Sequence, residues 1–193
     1  MNNPIGSFTK LKSLVWMAIL ATSLQANAQD DLSPLWQEVG RWEVRVDDTL
    51  NNGCYAVLIE STKVFRFGLN NTTGNFYVIL GDVNWKSIEV GKKYDMTLEF
   101  DSEGPWSISA GGINMNGSKA LTFAIRDGLF VEEMRERHNM YLRYNDEQIL
   151  RMSMEGSIAA LNSLNECINT FDSVTGSDKD PFSTSETDPF ANN

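Results

Sequence analysis

From Gly40 onward, apolar and polar residues alternate along the chain. Trp42, Val44 and Val46 are apolar and Arg41, Glu43, Arg45 and Asp47 between them are charged, a period of two that predicts a strand with one wet face. Residues 47–53 are rich in turn formers, and residues 54–60 resume the strand with Tyr55, Val57 and Ile59 at alternate positions. Phe65, Phe67 and Leu69 repeat the pattern before a polar turn at 70–74. Residues 76–80 are almost all apolar, which predicts a short strand buried on both faces. Residues 30–37, ahead of this series, read as a short lead-in.

The same rhythm continues through the middle of the chain. Trp85 sits in a connection that ends at Gly91. Beyond it Met96, Leu98 and Phe100 alternate with Asp95, Thr97 and Glu99. A turn at 101–105 returns into a strand at 106–110, and Asn116-Gly117 is a pair that closes a tight hairpin before Leu121, Phe123 and Ile125. At Asp127 the period lengthens. Phe130, Val131, Met134 and His138 fall at helical spacing, and Glu133 precedes Arg137 by one turn. Strands at 140–144 and 149–154 flank the turn Asn145-Asp146, and Ser157 is placed to cap a closing helix. Ile158, Leu161, Leu164, Ile168 and Phe171 form the apolar stripe of that helix, with Cys167 beside it.

These elements predict a mostly β fold: an antiparallel β-sandwich or open barrel of about nine or ten strands, with one internal helix and one C-terminal helix on a shared core. The ends of the chain read differently. Lys10 and Lys12 precede an apolar stretch at 14–21 that is too short to span a bilayer, and Ala26-Asn27-Ala28 supplies the small residues of a cleavage site. Residues 1–28 are therefore expected to be a signal peptide, residues 29–171 a single domain, and residues 172–193 a disordered acidic tail. In that tail Asp180-Pro181-Phe182 recurs as Asp188-Pro189-Phe190. No later segment is apolar enough for a membrane span, so the expected location is periplasmic or secreted.

Export changes the meaning of the two cysteines. In an oxidising compartment Cys54 and Cys167 are expected to be bonded, which would pin the last helix to the strand at 54–60. Loss of residues 1–28 removes two lysines and no acid, so the formal charge moves from −10 to −12. A chain this acidic is a poor partner for nucleic acid.

The chemistry on offer is sparse. His138 is the single histidine, so it supports neither a zinc site nor a nucleophile–base pair, and the end of a helix is where a histidine satisfies the last carbonyls. Neither a Gly-x-Ser-x-Gly elbow nor a Gly-x-Gly-x-x-Gly phosphate turn occurs. A calcium loop opening at Asp48 fails, because Leu50 and Ile59 stand where oxygen ligands are required. Asp101 and Glu103 are the tightest carboxylate pair near an aromatic, Trp106, but both sit in one turn, whereas glycoside hydrolysis needs carboxylates facing across a cleft. The expectation is a protein without catalytic residues, metal or cofactor. Trp85, Tyr94 and Trp106 are the candidate ligand-binding residues, since flat rings bury area at low entropic cost.

An early strand tryptophan (Trp42), a cysteine opening the next strand (Cys54) and a small-residue helix entered at 154–161 and ending at Cys167 resemble small exported bacterial proteins of alphaproteobacterial type. The closing segment is similar, over about twenty residues, to the end of the invasion-associated locus B family, whose members carry more cysteines than this chain. The resemblance implies an exported β-rich protein linked to host-cell entry, and it transfers no functional residue. Together these readings favour a non-catalytic binding protein of the bacterial envelope whose partner is an envelope protein. The alternatives are a periplasmic binder of a sugar or peptide and, behind it, a carboxylate-dependent hydrolase. Asn70, Asn71 and Asn116 each begin a glycosylation sequon, which keeps eukaryotic secretion open.

Overall fold

Each strand of the domain runs antiparallel to its neighbours in one sheet. The structure, a computed structural model, describes residues 33–101 and 104–175, the last four as backbone only. The expected signal peptide and its cleavage site, Glu103, and both Asp-Pro-Phe copies lie outside the described residues. The strands are β1 (Leu35–Val39), β2 (Trp42–Asp47), β3 (Gly53–Glu60), β4 (Lys63–Asn70), β5 (Asn75–Asp82), β6 (Lys93–Phe100), β7 (Trp106–Met115), β8 (Ser118–Ile125), β9 (Asn139–Tyr144) and β10 (Glu147–Ser153). Helix α1 (Gly128–Glu136) joins β8 to β9, and α2 (Ser157–Thr175) closes the domain. The order across the sheet is β1-β2-β3-β4-β5-β8-β7-β6-β9-β10.

The sheet curls on itself as an open barrel. The edge strand β10 comes to lie beside the β3–β4 turn, where Lys63 Nζ donates to the Arg151 carbonyl at 3.0 Å and Glu60 accepts from Ser153 N at 3.4 Å. Trp42 Nε1 closes the same seam by donating to the Glu155 carbonyl at 2.9 Å. Side chains thus satisfy backbone groups that an edge strand would otherwise leave open. Inward residues of both halves, Trp42, Leu58, Phe65, Leu80, Leu98 and Leu142 among them, are fully buried in one cluster.

Local chemistry explains the turns. Asn116-Gly117 and Asn145-Asp146 both hold positive φ at their two positions, the geometry of the tight hairpin turns that suit twisted strands. Asp127 caps α1 by accepting from Leu129 N at 3.0 Å. Arg137 leaves the helix in extended conformation and His138 follows in a bend, with its N–H donating to Asp101 and its carbonyl accepting from Met154 N at 2.8 Å.

Three local expectations are corrected. The lead-in contains the edge strand β1; its Leu35 and Trp36 are exposed, so no alternation marks it. Ser157 does not cap α2 with its side chain; its hydroxyl is buried 3.5 Å from the Arg135 carbonyl. Of the expected stripe of α2 only Ile158, in the first turn, is exposed; Leu161 and Leu164 are buried with Ala160 and Cys167 beside them, and Ile168 and Phe171 pack against the core. Helix α2 continues to Thr175. Cys54 and Cys167 are bonded, with Cα atoms 6.1 Å apart, and tie α2 to β3. Among the described residues no helix is long and apolar enough to cross a membrane.

Candidate functional site

Antiparallel connectivity gives the sheet two distinct ends. The end where β8 leaves and β9 enters is covered by α1. Phe130 on α1 is fully buried, its ring centroid 5.2 Å from Phe100, 5.5 Å from Trp106, 6.4 Å from Phe123 and 6.5 Å from Phe67. The β5–β6 connection and the β9–β10 turn lie at the opposite end, and no helix crosses there among the described residues.

That open end holds a cavity of about 280 Å³. Trp85 and Ile88 come from the β5–β6 connection, Tyr94 and Met96 from β6, Tyr144 and Ile149 from the ends of β9 and β10, and Leu121 lies beneath. Tyr94 and Tyr144 meet edge to face at 5.9 Å, and Lys86 stands on the rim. The mouths of small barrels are places where mostly apolar pockets with a few polar groups bind ligands.

The connection carrying Trp85 is fixed by specific contacts. Asp82 accepts from the Asn84 backbone and side-chain amides, both at 2.9 Å, and its carbonyl accepts from Trp85 N at 2.9 Å. Glu89 N donates to the Tyr94 hydroxyl at 2.9 Å, and Lys92 pairs with Glu89 at 2.6 Å. The Glu89 bond raises the Lys92 ammonium above its ordinary pKa. Gly91 N donates to Gly112 O and Gly112 N to Lys92 O, each at 2.8 Å. A Cβ on Gly112 would stand 2.2 Å from the Glu89 carbonyl, so only glycine lets the connection lie this close to β7.

The three aromatic residues singled out from the sequence part company. Trp85 and Tyr94 share the mouth. Trp106 lies at the covered end, where its indole donates to Glu133 Oε2 at 2.7 Å and its ring packs on Phe130. Tyr144, Ile88 and Ile149 were not singled out; the position of Tyr144 directly before the Asn145-Asp146 turn was the available signal.

Two acidic positions are engaged in local bonding. Asp101 accepts from His138 N at 2.7 Å and from Asn139 Nδ2 at 3.0 Å. Desolvation acts to raise its pKa, but these hydrogen bonds outweigh it and hold the carboxyl below the ordinary value. Asp47, a turn residue considered for calcium, accepts from Thr49 N at 3.0 Å and pairs with Arg66. Arg66 lies over the Tyr55 ring at 3.5 Å and donates Nε to the Tyr77 hydroxyl at 2.8 Å. Burial pushes Tyr77 up to about 12, although Arg66 acts in the opposite sense. A flatter depression of about 470 Å³ over β6, β7 and β9 is lined by polar groups including Asp95, Ser107, Ser109 and Arg143. Arg143 there already meets Glu99 at 3.5 Å.

No family model matches the chain, and no curated protein matches it in sequence. Among solved structures, the crystal structure of invasion associated protein B from Bartonella henselae is similar, with a TM-score of 0.52 at 16% identity. The match covers 72% of this chain and 99% of that one, and at this identity the likeness is one of fold.

Proposed function

We propose that this is an exported, non-catalytic binding protein of the bacterial envelope, which seats an apolar or aromatic group of a protein or peptide partner in the mouth formed by Trp85, Tyr94 and Tyr144. The observation that carries the reading is the apolar cavity itself, left open at one end of a sheet whose other end is filled. A disulfide fits an oxidising compartment. The fold likeness to a protein named for association with invasion fits an envelope role. A sugar platform is less well supported, because Trp106 does not join the other two rings and the walls are largely apolar. A hydrolase reading gains nothing from Asp101, whose two oxygens serve as acceptors for the β9 entry.

Titration with 1-anilinonaphthalene-8-sulfonate, an anionic aromatic fluorophore, tests the site. The expected result is saturable enhancement that weakens about tenfold or more in Trp85→Ala while the thermal midpoint holds. Enhancement that is absent, or unchanged by Trp85→Ala, would overturn the reading.

A further inference from the structure

We infer that the apolar group seated in the mouth is a straight acyl chain of about ten carbons, inserted methyl end first with its carbonyl head at the rim; this deepens the binding reading above and rests on it. The lining changes with depth. Met96 and Leu121 are buried at the floor, Ile88, Ile149 and Trp85 are half-buried above them, and Tyr144 is exposed at the rim. Aliphatic carbon therefore lies below and rings with polar tips lie above. Tryptophan and tyrosine suit a place where one end is apolar and the other wet, so the gradient matches an amphiphile.

Volume sets the length of the chain. A dry cavity of ~150 Å³ holds benzene, six carbons, so the mouth at about 280 Å³ holds about ten or eleven. A phenylalanine side chain would leave about half of that space empty, and an apolar wall facing a void loses its dispersion partners. An unbranched chain fills the remainder by adjusting its torsions, and the flexible thioether of Met96 adapts to it from the floor.

Hydrogen bonding, not charge, selects the head group. The lysines at this end are balanced by Asp82, Glu89, Asp146 and Glu147, so no net field favours an ion. The Tyr94 hydroxyl is already engaged, accepting from Glu89 N at 2.9 Å. The Trp85 indole N–H and the Tyr144 hydroxyl, by contrast, have no hydrogen-bond acceptor among the described residues. A carbonyl oxygen has two lone pairs and no proton, which is the chemistry those two donors lack. The partner of this site is thus recognised by an acyl group, whether carried on a peptide or present as free fatty acid.

The test displaces 1-anilinonaphthalene-8-sulfonate from the disulfide-bonded chain with N-acylglycinamides from butanoyl to tetradecanoyl, each kept below its micelle concentration. Each added methylene is expected to tighten binding about fourfold until about ten carbons are reached, with no further gain beyond. Trp85→Phe keeps a ring and removes the donor, and is expected to weaken the decanoyl ligand about fivefold. Affinity independent of chain length, or N-acetylphenylalaninamide binding as tightly as decanoylglycinamide, would overturn the acyl chain and leave the mouth standing. Absence of any fluorophore enhancement would overturn the mouth as well. Equal affinity of the decanoyl ligand for wild type and Trp85→Phe would overturn the rim contact to its carbonyl. Decanoate separates the two sources: weaker binding than the amide supports a chain carried on a peptide, and parity supports free fatty acid.

Discussion

Where β8 runs into β9, α1 crosses the interior and lowers Phe130 among Phe67, Phe100, Trp106 and Phe123; at the other end the β5–β6 connection reaches only the rim. Both ends use tryptophan, and both anchor an aromatic polar atom to glutamate, through Trp106 on Glu133 and through Tyr94 on Glu89 N. The difference is whether an element carries a side chain into the barrel. Phe130 supplies one at the covered end. At the mouth Tyr144 stays 36% exposed and the rings line a space instead of filling it. Aromatic content therefore does not separate core from site, while the path of the connection does.

Removing the disulfide should give the largest loss and attacks only the covered half of the comparison. The bond closes a loop of 113 positions, so Cys54→Ala/Cys167→Ala is expected to cost roughly 4–5 kcal/mol in denaturant unfolding. Native molecules of that variant should retain fluorophore binding at the mouth. Phe130→Ala comes next, at about 3–5 kcal/mol, because a fully buried ring touching four others leaves a cavity. A loss below about 1 kcal/mol would mean that α1 lies over the end without closing it.

The covered end is also clamped on its outer side, and pH reaches that clamp. Tyr77 is raised from an ordinary 10.0 to about 12 by burial, so the fold favours its neutral form. Its contribution is complete below about pH 10 and is lost as pH rises through about 12. Tyr77→Phe should flatten that alkaline decline, while at neutral pH it weakens the fold by depriving Arg66 of an acceptor. Absorbance at 295 nm would follow the phenol, and identical alkaline limbs in the two proteins would exclude this origin.

Most of the strands were legible because a one-sided sheet writes its burial as a period of two, and α1 announced itself at Asp127, which does cap it. Strand β1 was not, since an edge with exposed Leu35 and Trp36 has no buried face to write. The site was half legible. Tyr94 and Trp106 belong to one group of candidate ligand-binding residues, yet each lies near the start of one of two antiparallel strands. Tyr94 faces Ala110 and Trp106 faces Leu98, which sets them at opposite ends. Tyr144 and Ile149 reach the mouth only through the pairing of β6 with β9, a contact between distant segments that no local pattern encodes.

The smallest expected effect is the sharpest test of independence between the ends. Glu133→Gln keeps an acceptor near the Trp106 indole but removes its charge, so the hydrogen bond at 2.7 Å weakens without leaving a donor stranded. The expected cost is about 1 kcal/mol, read from the denaturation midpoint at constant slope. Fluorophore affinity at Trp85 should not change, because the Glu133–Trp106 pair belongs to the α1 layer and no residue of it lines the mouth. A shift in that affinity would show that the covered end is coupled to the open one, and the barrel would then have to be treated as a single deformable unit.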